Sequence, residues 1–169
     1  RVICPYCDFV KKRTSGDVPD KFTNALCREI ESFEGSKNVR SIFFGGGTPS
    51  LLTSGDTERI FKTLSDHFSI DDAEITIEVN PDDVTRDMID LWKRVGINRL
   101  SLGVQSYDDD VLKFLGRCHD SQKANAACQL LAESYENWSL DLIFGCKPAD
   151  AWTATLETAL SYAPTHISA

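Results

Sequence analysis

The sequence predicts an α/β fold built on a parallel sheet. Short apolar or alternating segments, typical of strands, recur along the chain and are separated by longer segments of helical periodicity. Glycine or proline ends several strand segments, as at Gly45 and Pro81. Such alternation favours parallel strands joined by right-handed crossovers. A doubly wound sheet and a partial barrel both fit, and either places functional residues at the carboxyl ends of the strands.

The predicted elements follow one another in a single domain, residues 1–169, without an internal repeat or a low-complexity tract. Apolar residues at helical spacing predict helices near residues 22–33, 60–68, 89–95, 111–115, 123–133 and 152–160. Strand patterns cover residues 41–44, 75–79, 100–104 and 140–144, with a shorter strand at 166–168. Thr85 is the expected N-cap of the third helix, and Gly96 is its expected C-terminal stop.

The composition predicts one buried core, because 41% of the 169 residues are hydrophobic. The net charge of -8 argues against a nucleic-acid partner, since phosphate contacts need a basic surface. No apolar run is long enough to be a transmembrane segment. The six cysteines are scattered through a long chain with helical segments, so reduced thiols and a cytoplasmic location are expected. Cys27 and Cys128 fit small core positions, whereas Cys146 and His119 receive no role.

Cys4-Pro5-Tyr6-Cys7 is the first segment that carries chemistry. The spacing suits a redox dithiol, half of a zinc site or part of an iron–sulfur site. The same four residues occur at the active site of glutaredoxins, where the motif follows a strand and opens a helix. Here residues 11–16 follow soon after and have the composition of a loop, which differs from the glutaredoxin context, and the three alternatives stay open.

A glycine turn follows the first predicted strand, with the sequence FFGGGTP at residues 43–49. Gly45, Gly46 and Gly47 allow close approach to the backbone and expose its N–H and C=O groups. The turn is not a phosphate loop, because no lysine follows at the required spacing, and it lacks the spaced glycines of a dinucleotide fingerprint. A plain flexible connection between strand and helix remains the alternative.

Four polar residues form a third set near the predicted strand ends: Glu78, Gln105, Arg117 and Asp141. Each alone is as typical of a structural hydrogen bond or a surface charge as of a ligand contact. Ser101, Gly103 and Gln105 share one face of their strand, and such a small, polar face suits a wall beside a ligand. Their common placement raises the expectation of a binding site.

These segments together resemble the radical S-adenosylmethionine (SAM) superfamily, and within it the oxygen-independent coproporphyrinogen III oxidase-like family. The family pattern is C-x-x-x-C-x-x-C, whose second and third cysteines match Cys4 and Cys7, with the first falling before Arg1. The match runs through almost the whole chain in the family's order, at residues 4–7, 43–52, 77–81, 98–106, 115–117 and 140–145.

The resemblance implies an incomplete (β/α)6 TIM-like partial barrel that lacks its first strand, the first cluster cysteine and the C-terminal domain. It implies a 4Fe-4S cluster, with Cys4 and Cys7 as ligands, that leaves one iron open to SAM and cleaves it to a 5'-deoxyadenosyl radical. It further implies SAM contacts at Tyr6, Gly45, Gly46, Gly47, Thr48, Glu78, Gln105, Arg117 and Asp141. The glycine backbone would receive the SAM amino group, and Arg117 would pair with the carboxylate.

The resemblance is closer to the heme-chaperone branch of this family. The oxidase branch commonly has a further cysteine at the position of Phe9. The expected ligand is therefore heme or porphyrin. The expected partners are a hemoprotein acceptor and an electron donor, and any membrane association would come through the acceptor. The alternatives are oxidative decarboxylation of coproporphyrinogen III propionates to vinyl groups and a glutaredoxin-type dithiol activity. Residues 145–150 depart from the family's usual Gly-Leu-Pro-Gly-Gln-Thr.

Overall fold

A computed structural model of the chain describes residues 3–8, 18–35, 37–146 and 151–169. Five strands form one sheet in which every neighbouring pair is parallel. The strands are β1 (Ser41–Phe44), β2 (Glu74–Val79), β3 (Arg99–Gln105), β4 (Trp138–Leu142) and β5 (His166–Ser168). The expectations for Arg1, Phe9, residues 11–16 and residues 147–150 lie outside the described residues.

The described residues form six α-helices, two of which follow one another between β3 and β4. They are α1 (Asp20–Glu31), α2 (Ser54–His67), α3 (Arg86–Arg94), α4 (Asp109–Phe114), α5 (Ser121–Ser134) and α6 (Ala151–Ser161). The predicted cap of α3 is confirmed, since Thr85 Oγ1 accepts a hydrogen bond from the Met88 N–H at 3.2 Å. Gly96 follows α3 with a φ of 97°, the left-handed conformation expected of a C-terminal stop.

The strand order distinguishes between the two architectures that the sequence left open. The order is sequential, β1-β2-β3-β4-β5, whereas a doubly wound sheet reverses its order at a switch point. With right-handed crossovers, a sequential order places all connecting helices on one face of the sheet, as around a barrel. The partial-barrel expectation is therefore confirmed.

The predicted strand at residues 140–144 is displaced toward the N-terminus. The observed strand β4 begins at Trp138 and ends at Leu142. Beyond it, the Ile143 N–H donates to the Gln105 carbonyl, and the Phe144 ring packs edge-on against Trp152 at 5.2 Å. Pairing with β3 thus ends at the Ile143 N–H, and the apolar Phe144 side chain contacts Trp152 instead of extending the strand.

The two faces of the sheet differ in chemistry. The helix-covered face carries the core, including Ile75, Ile77, Leu100, Leu102 and Leu140, all buried. The opposite face is polar at the carboxyl end. There the register places Glu78 beside Ser101 and Gly103 beside Asp141. The described fold therefore presents one polar sheet face on which a ligand site can form.

Candidate cofactor site at the carboxyl ends of the strands

The turn that carries Cys4 and Cys7 packs against the loop after α4. The Cys7 N–H donates to the Cys4 carbonyl at 3.1 Å, which closes the turn. Pro5 lies so close to Gly116 that a Cβ atom there would come within 2.8 Å of the Pro5 Cδ. Gly116 also has a φ of 68°, so the position needs glycine for both conformation and space. This contact brings the cysteine turn next to Arg117.

Arg117 joins the cysteine turn to the strand ends. Its Nη2 donates to the Asn80 side-chain oxygen and to the Gly103 carbonyl, each at 2.6 Å. Its Nη1 lies 3.3 Å from the Tyr6 hydroxyl and 3.7 Å from the Cys4 sulfur. Residues far apart in sequence therefore meet around one guanidinium group. Arg117 is therefore not a solvated surface charge. It is half-buried and lies between the cysteine turn and the strand ends.

Glu78 and the glycine turn are in direct contact. The Gly46 N–H donates to Glu78 Oε2 at 3.1 Å, and Gly46 has a φ of 74° that lets its amide point toward β2. Burial raises the pKa of Glu78 most, the nearby Asp141 charge raises it further, and the Gly46 hydrogen bond lowers it in part. The turn therefore presents its backbone to a carboxylate rather than to solvent alone.

Gln105 lies at an irregularity in β3. The register with β4 shifts between Gly103 and Gln105, and Gln105 has a φ of 72°, rare for a residue with a side chain. Its Nε2 lies 3.0 Å from where a Gly103 Cβ would be, and the Arg117 Nη2 lies 3.6 Å from the same point. The Gln105 amide and the Arg117 guanidinium thus lie over one glycine. Backbone strain of this kind is concentrated at functional sites.

Asp141 faces the same side from β4. Ser101 donates its hydroxyl to both carboxylate oxygens, at 3.1 and 2.9 Å. Burial raises the pKa of Asp141, and the Ser101 hydrogen bond together with the charges of Arg99 and His166 opposes that rise. Asp141 and Glu78 are close enough for the charge of Asp141 to influence Glu78. The two carboxylates therefore make this part of the polar sheet face acidic.

Thr48 is the predicted site residue that the structure connects least with the others. Its carbonyl accepts the Leu51 N–H at 3.1 Å, within the 3-10 turn Pro49–Leu51.

The remaining predicted residues lie beside those already described. Gly45 and Gly47 flank Gly46 in the turn that contacts Glu78, and Tyr6 contacts Arg117. Burial raises the Tyr6 pKa to about 12, with the Arg117 charge opposing.

Asn80 contacts the predicted site residues and was absent from the predicted set, whereas Ser101 was predicted only as part of the polar wall beside a ligand. Asn80 accepts from Arg117, and Ser101 donates to Asp141. Asn80 immediately follows strand β2 and precedes Pro81, so its position at a strand end was a signal available in the sequence. For Ser101 the signal was its place on the polar face of β3.

The described residues fit part of a four-iron cluster site. Thiolates are the usual ligands of such clusters, and Cys4 and Cys7 are half-buried thiols in one turn. Within the described residues no group of three His, Cys, Asp or Glu side chains is placed to hold a metal ion. These residues therefore supply fewer ligands than a complete site needs. The Arg117 Nε is buried without a hydrogen-bond partner in the described part of the chain, which leaves a donor for an anionic ligand.

Comparisons with known proteins point to one superfamily. The family model of the Radical SAM superfamily matches residues 1–150. The heme chaperone HemW of Synechocystis sp. is 38% identical over 98% of this chain and 43% of its own length. HemW of Escherichia coli is 35% identical over 98% of this chain and 46% of its own length. The chain thus spans less than half the length of these relatives.

Solved structures share the fold. The coproporphyrinogen III oxidase HemN of Escherichia coli superposes with a TM-score of 0.77 at 29% identity, over 89% of this chain and 37% of that one. Native anSMEcpe with bound AdoMet superposes with a TM-score of 0.71 at 13% identity, over 97% of this chain and 46% of that one, a likeness of fold alone. None of the helices in the described residues is long and apolar enough to cross a membrane.

Proposed function

The chain belongs to the radical SAM superfamily, and from this premise we propose that its strand-end site binds SAM beside a 4Fe-4S cluster. The observation that carries the proposal is the convergence on Arg117, which contacts Cys4, Tyr6, Asn80 and Gly103. A guanidinium between a cysteine turn and an acidic sheet face is placed to bind the carboxylate of an amino acid moiety. SAM carries such a carboxylate together with an amino group.

Each predicted residue then has a distinct task. Cys4 and Cys7 supply thiolates to the cluster, which provides the one-electron chemistry characteristic of the superfamily. Glu78 and the turn of Gly45, Gly46 and Gly47 hold the amino group, because a carboxylate and backbone carbonyls accept from an ammonium. Arg117 pairs with the carboxylate. The remaining contacts to SAM come from Tyr6, Thr48, Gln105 and Asp141.

For the whole protein we propose heme binding and delivery to a hemoprotein acceptor. The support is the identity of 38% and 35% to two proteins named heme chaperones, each over 98% of this chain. The cysteine turn also lacks a cysteine at residue 9, where Phe9 stands. A cytoplasmic location and an electron donor for the cluster belong to the same proposal.

Heme titration of the full-length protein, followed by absorbance, tests this function beside assays of SAM cleavage and coproporphyrinogen turnover. The proposal predicts a saturable heme complex and no conversion of the porphyrinogen. Robust decarboxylation of coproporphyrinogen III would overturn the chaperone assignment and leave the SAM site intact.

The second candidate is the oxidase activity itself, which HemN at 29% identity supports. It shares the cluster and SAM residues and differs only in the ligand above them, so turnover of the porphyrinogen separates the two. A dithiol oxidoreductase has less support. Residues 5–6 form a turn, and the next helix among the described residues begins at Asp20.

A further inference from the structure

A row of hydrogen bonds crosses the polar face of the sheet beneath the SAM site. Arg99 Nη2 donates to the Ser139 hydroxyl at 3.3 Å, and the Ser139 hydroxyl donates to the Ser101 oxygen at 3.1 Å. Ser101 in turn donates to the Asp141 carboxylate at 2.9 Å. The row runs between β3 and β4, whose register sets Ser101 opposite Ser139. None of Arg99, Ser101 and Ser139 has a task in the proposed cofactor contacts.

The two ends of this row favour one direction for the hydrogen bonds between them. Arginine can only donate hydrogen bonds, and an ionised aspartate can only accept them. Ser139 accepts from Arg99 and has two acceptors for its own proton, the Ser101 oxygen at 3.1 Å and the Leu100 carbonyl at the longer distance of 3.5 Å. When it donates to Ser101, Ser101 directs its own proton to Asp141. Hydrogen bonds aligned in this way polarise and strengthen one another. Substituting Ser139 interrupts the row without touching Asp141.

The two serine hydroxyls of the row are buried, which strengthens the effect of their alignment. Ser139 is 1% exposed and Ser101 is 7% exposed, so water does not compete freely for these hydroxyls. Burial raises the pKa of Asp141, and the Ser101 hydrogen bond and the charges of Arg99 and His166 oppose that rise. The row therefore offsets part of the cost of burying the Asp141 carboxylate and gives that carboxylate a fixed hydrogen-bond donor.

We propose that Arg99 and Ser139 are positioning residues that act through Ser101 to hold the Asp141 carboxylate in its SAM-binding orientation. The inference rests on the proposed SAM site and adds to it a supporting layer from the centre of the sheet. It assigns a supporting role to two side chains that are not among the predicted SAM contacts.

The test is a double-mutant cycle on the full-length protein with its cluster reconstituted. SAM affinity is measured by equilibrium dialysis for Ser139→Ala, Asp141→Ala and the double variant. Dialysis against millimolar SAM keeps weak binding measurable. Loss of one buried hydroxyl contact should weaken SAM binding about 3- to 10-fold in the Ser139→Ala protein. In the Asp141→Ala background the same substitution should change affinity less than about twofold, because the residue it acts through is gone.

Thr76→Val is the matched control. Like Ser139, Thr76 is buried, with 1% of its surface exposed, and its hydroxyl accepts a hydrogen bond from Arg99 at 3.4 Å. Unlike Ser139, it lies on β2, on the side of Arg99 opposite to Asp141. Thermal unfolding monitors stability in all variants. Thr76→Val should match Ser139→Ala in lost stability and leave SAM affinity unchanged.

Three results would overturn the inference. One is an equal loss of affinity from Ser139→Ala with and without Asp141, and another is an equal loss from Thr76→Val. The third is an unchanged affinity in Ser139→Ala. If Asp141→Ala itself leaves SAM affinity unchanged, the assignment of Asp141 as a SAM contact fails, and the positioning role fails with it.

Discussion

At the scale of single residues, Arg117 shows why the site depends on side-chain shape as well as on charge. One nitrogen of its guanidinium bonds both Asn80 and Gly103, while the other faces Tyr6 and Cys4. A lysine would keep the positive charge but lose the planar fork that reaches acceptors on two sides. The group therefore links loop and sheet in a way that one ammonium cannot.

Arg117→Lys is expected to weaken SAM binding at least about tenfold in the full-length protein, since hydrogen bonds to charged groups contribute about 1.5–3 kcal/mol. Equilibrium dialysis measures the affinity. Arg86→Lys is the matched control. Arg86 makes an exposed ion pair with Glu133, at a distance of 3.5 Å between the two side chains, and this pair includes no residue of the site. Equal affinities in the two variants would contradict the role given to Arg117.

His119 gives a pH-dependent prediction at the same scale. Burial lowers its pKa below the ordinary 6.5, the Arg117 charge lowers it further, and the Val104 carbonyl opposes. Its Nε2 lies 3.0 Å from that carbonyl. The unfolded chain thus takes up a proton at a higher pH than the folded one. The stability from a neutral His119 is full above pH 6.5 and is lost as pH falls toward the folded pKa.

The measurement is the free energy of unfolding of the wild type and of His119→Gln between pH 5 and about 8. The wild type should lose stability relative to the variant below about pH 6.5, because glutamine keeps a donor for Val104 but does not titrate. Parallel stability curves for the two proteins would show that His119 titrates alike in both states.

At the scale of elements, the glycine turn after β1 is expected to be sensitive to a single methyl group. Gly46→Ala places a side chain at a φ of 74°, which costs about 1–2 kcal/mol, and it disturbs the N–H that Glu78 accepts. Both unfolding free energy and SAM affinity should fall. Gly55→Ala, on α2, is the control, because a Cβ atom added at Gly55 meets nothing within 4 Å. It should leave the protein's stability unchanged or raise it by about 0.4–1 kcal/mol.

A loss of SAM affinity in Gly55→Ala, or full affinity in Gly46→Ala, would contradict this account of the turn. Denaturant unfolding of the two proteins measures the cost of the backbone strain, and equilibrium dialysis measures the loss of the SAM contact.

Helix α4 leads directly into Gly116 and Arg117, so its N-cap supports the site. Asp108 accepts from the N–H groups of Asp110 and Val111, each at 2.9 Å. Asp108→Ala should lower the unfolding free energy by about 1 kcal/mol. The control is Asp110→Ala, on the same turn, whose side chain makes an exposed ion pair with Lys113 at 3.3 Å. This substitution should cost no more than about 0.5 kcal/mol. Equal losses in denaturant unfolding would contradict the capping role.

The elements themselves were largely predictable, because their signals are local. Alternation in β2 and the Thr85 cap of α3 are properties of neighbouring residues. The end of β4 was placed too late, because the apolar Phe144 packs against Trp152, a contact that local patterning cannot show. Likewise Asn80 was missed as an Arg117 partner, since that bond joins residues 37 apart.

At the scale of the whole molecule, the sequential strand order explains how the site is assembled. It brings β1, β2, β3 and β4 side by side with their carboxyl ends at one edge, where the glycine turn, Glu78, Gln105 and Asp141 lie. Strand–helix alternation alone left two architectures open, because both are built from the same repeating unit. The family resemblance narrowed the choice, and the pairing of the strands decided it.

The central claim is that Cys4 and Cys7 ligate a cluster whose iron is reached by SAM bound at these strand ends. The most direct measurement is electron paramagnetic resonance of the reduced, reconstituted full-length protein, with and without SAM. We predict a 4Fe-4S signal that SAM shifts. The signal should be lost in Cys4→Ser and Cys7→Ser and retained in Cys118→Ser, whose thiol is exposed. A full signal in the Cys4→Ser and Cys7→Ser proteins, or a spectrum that SAM leaves unchanged, would contradict the account.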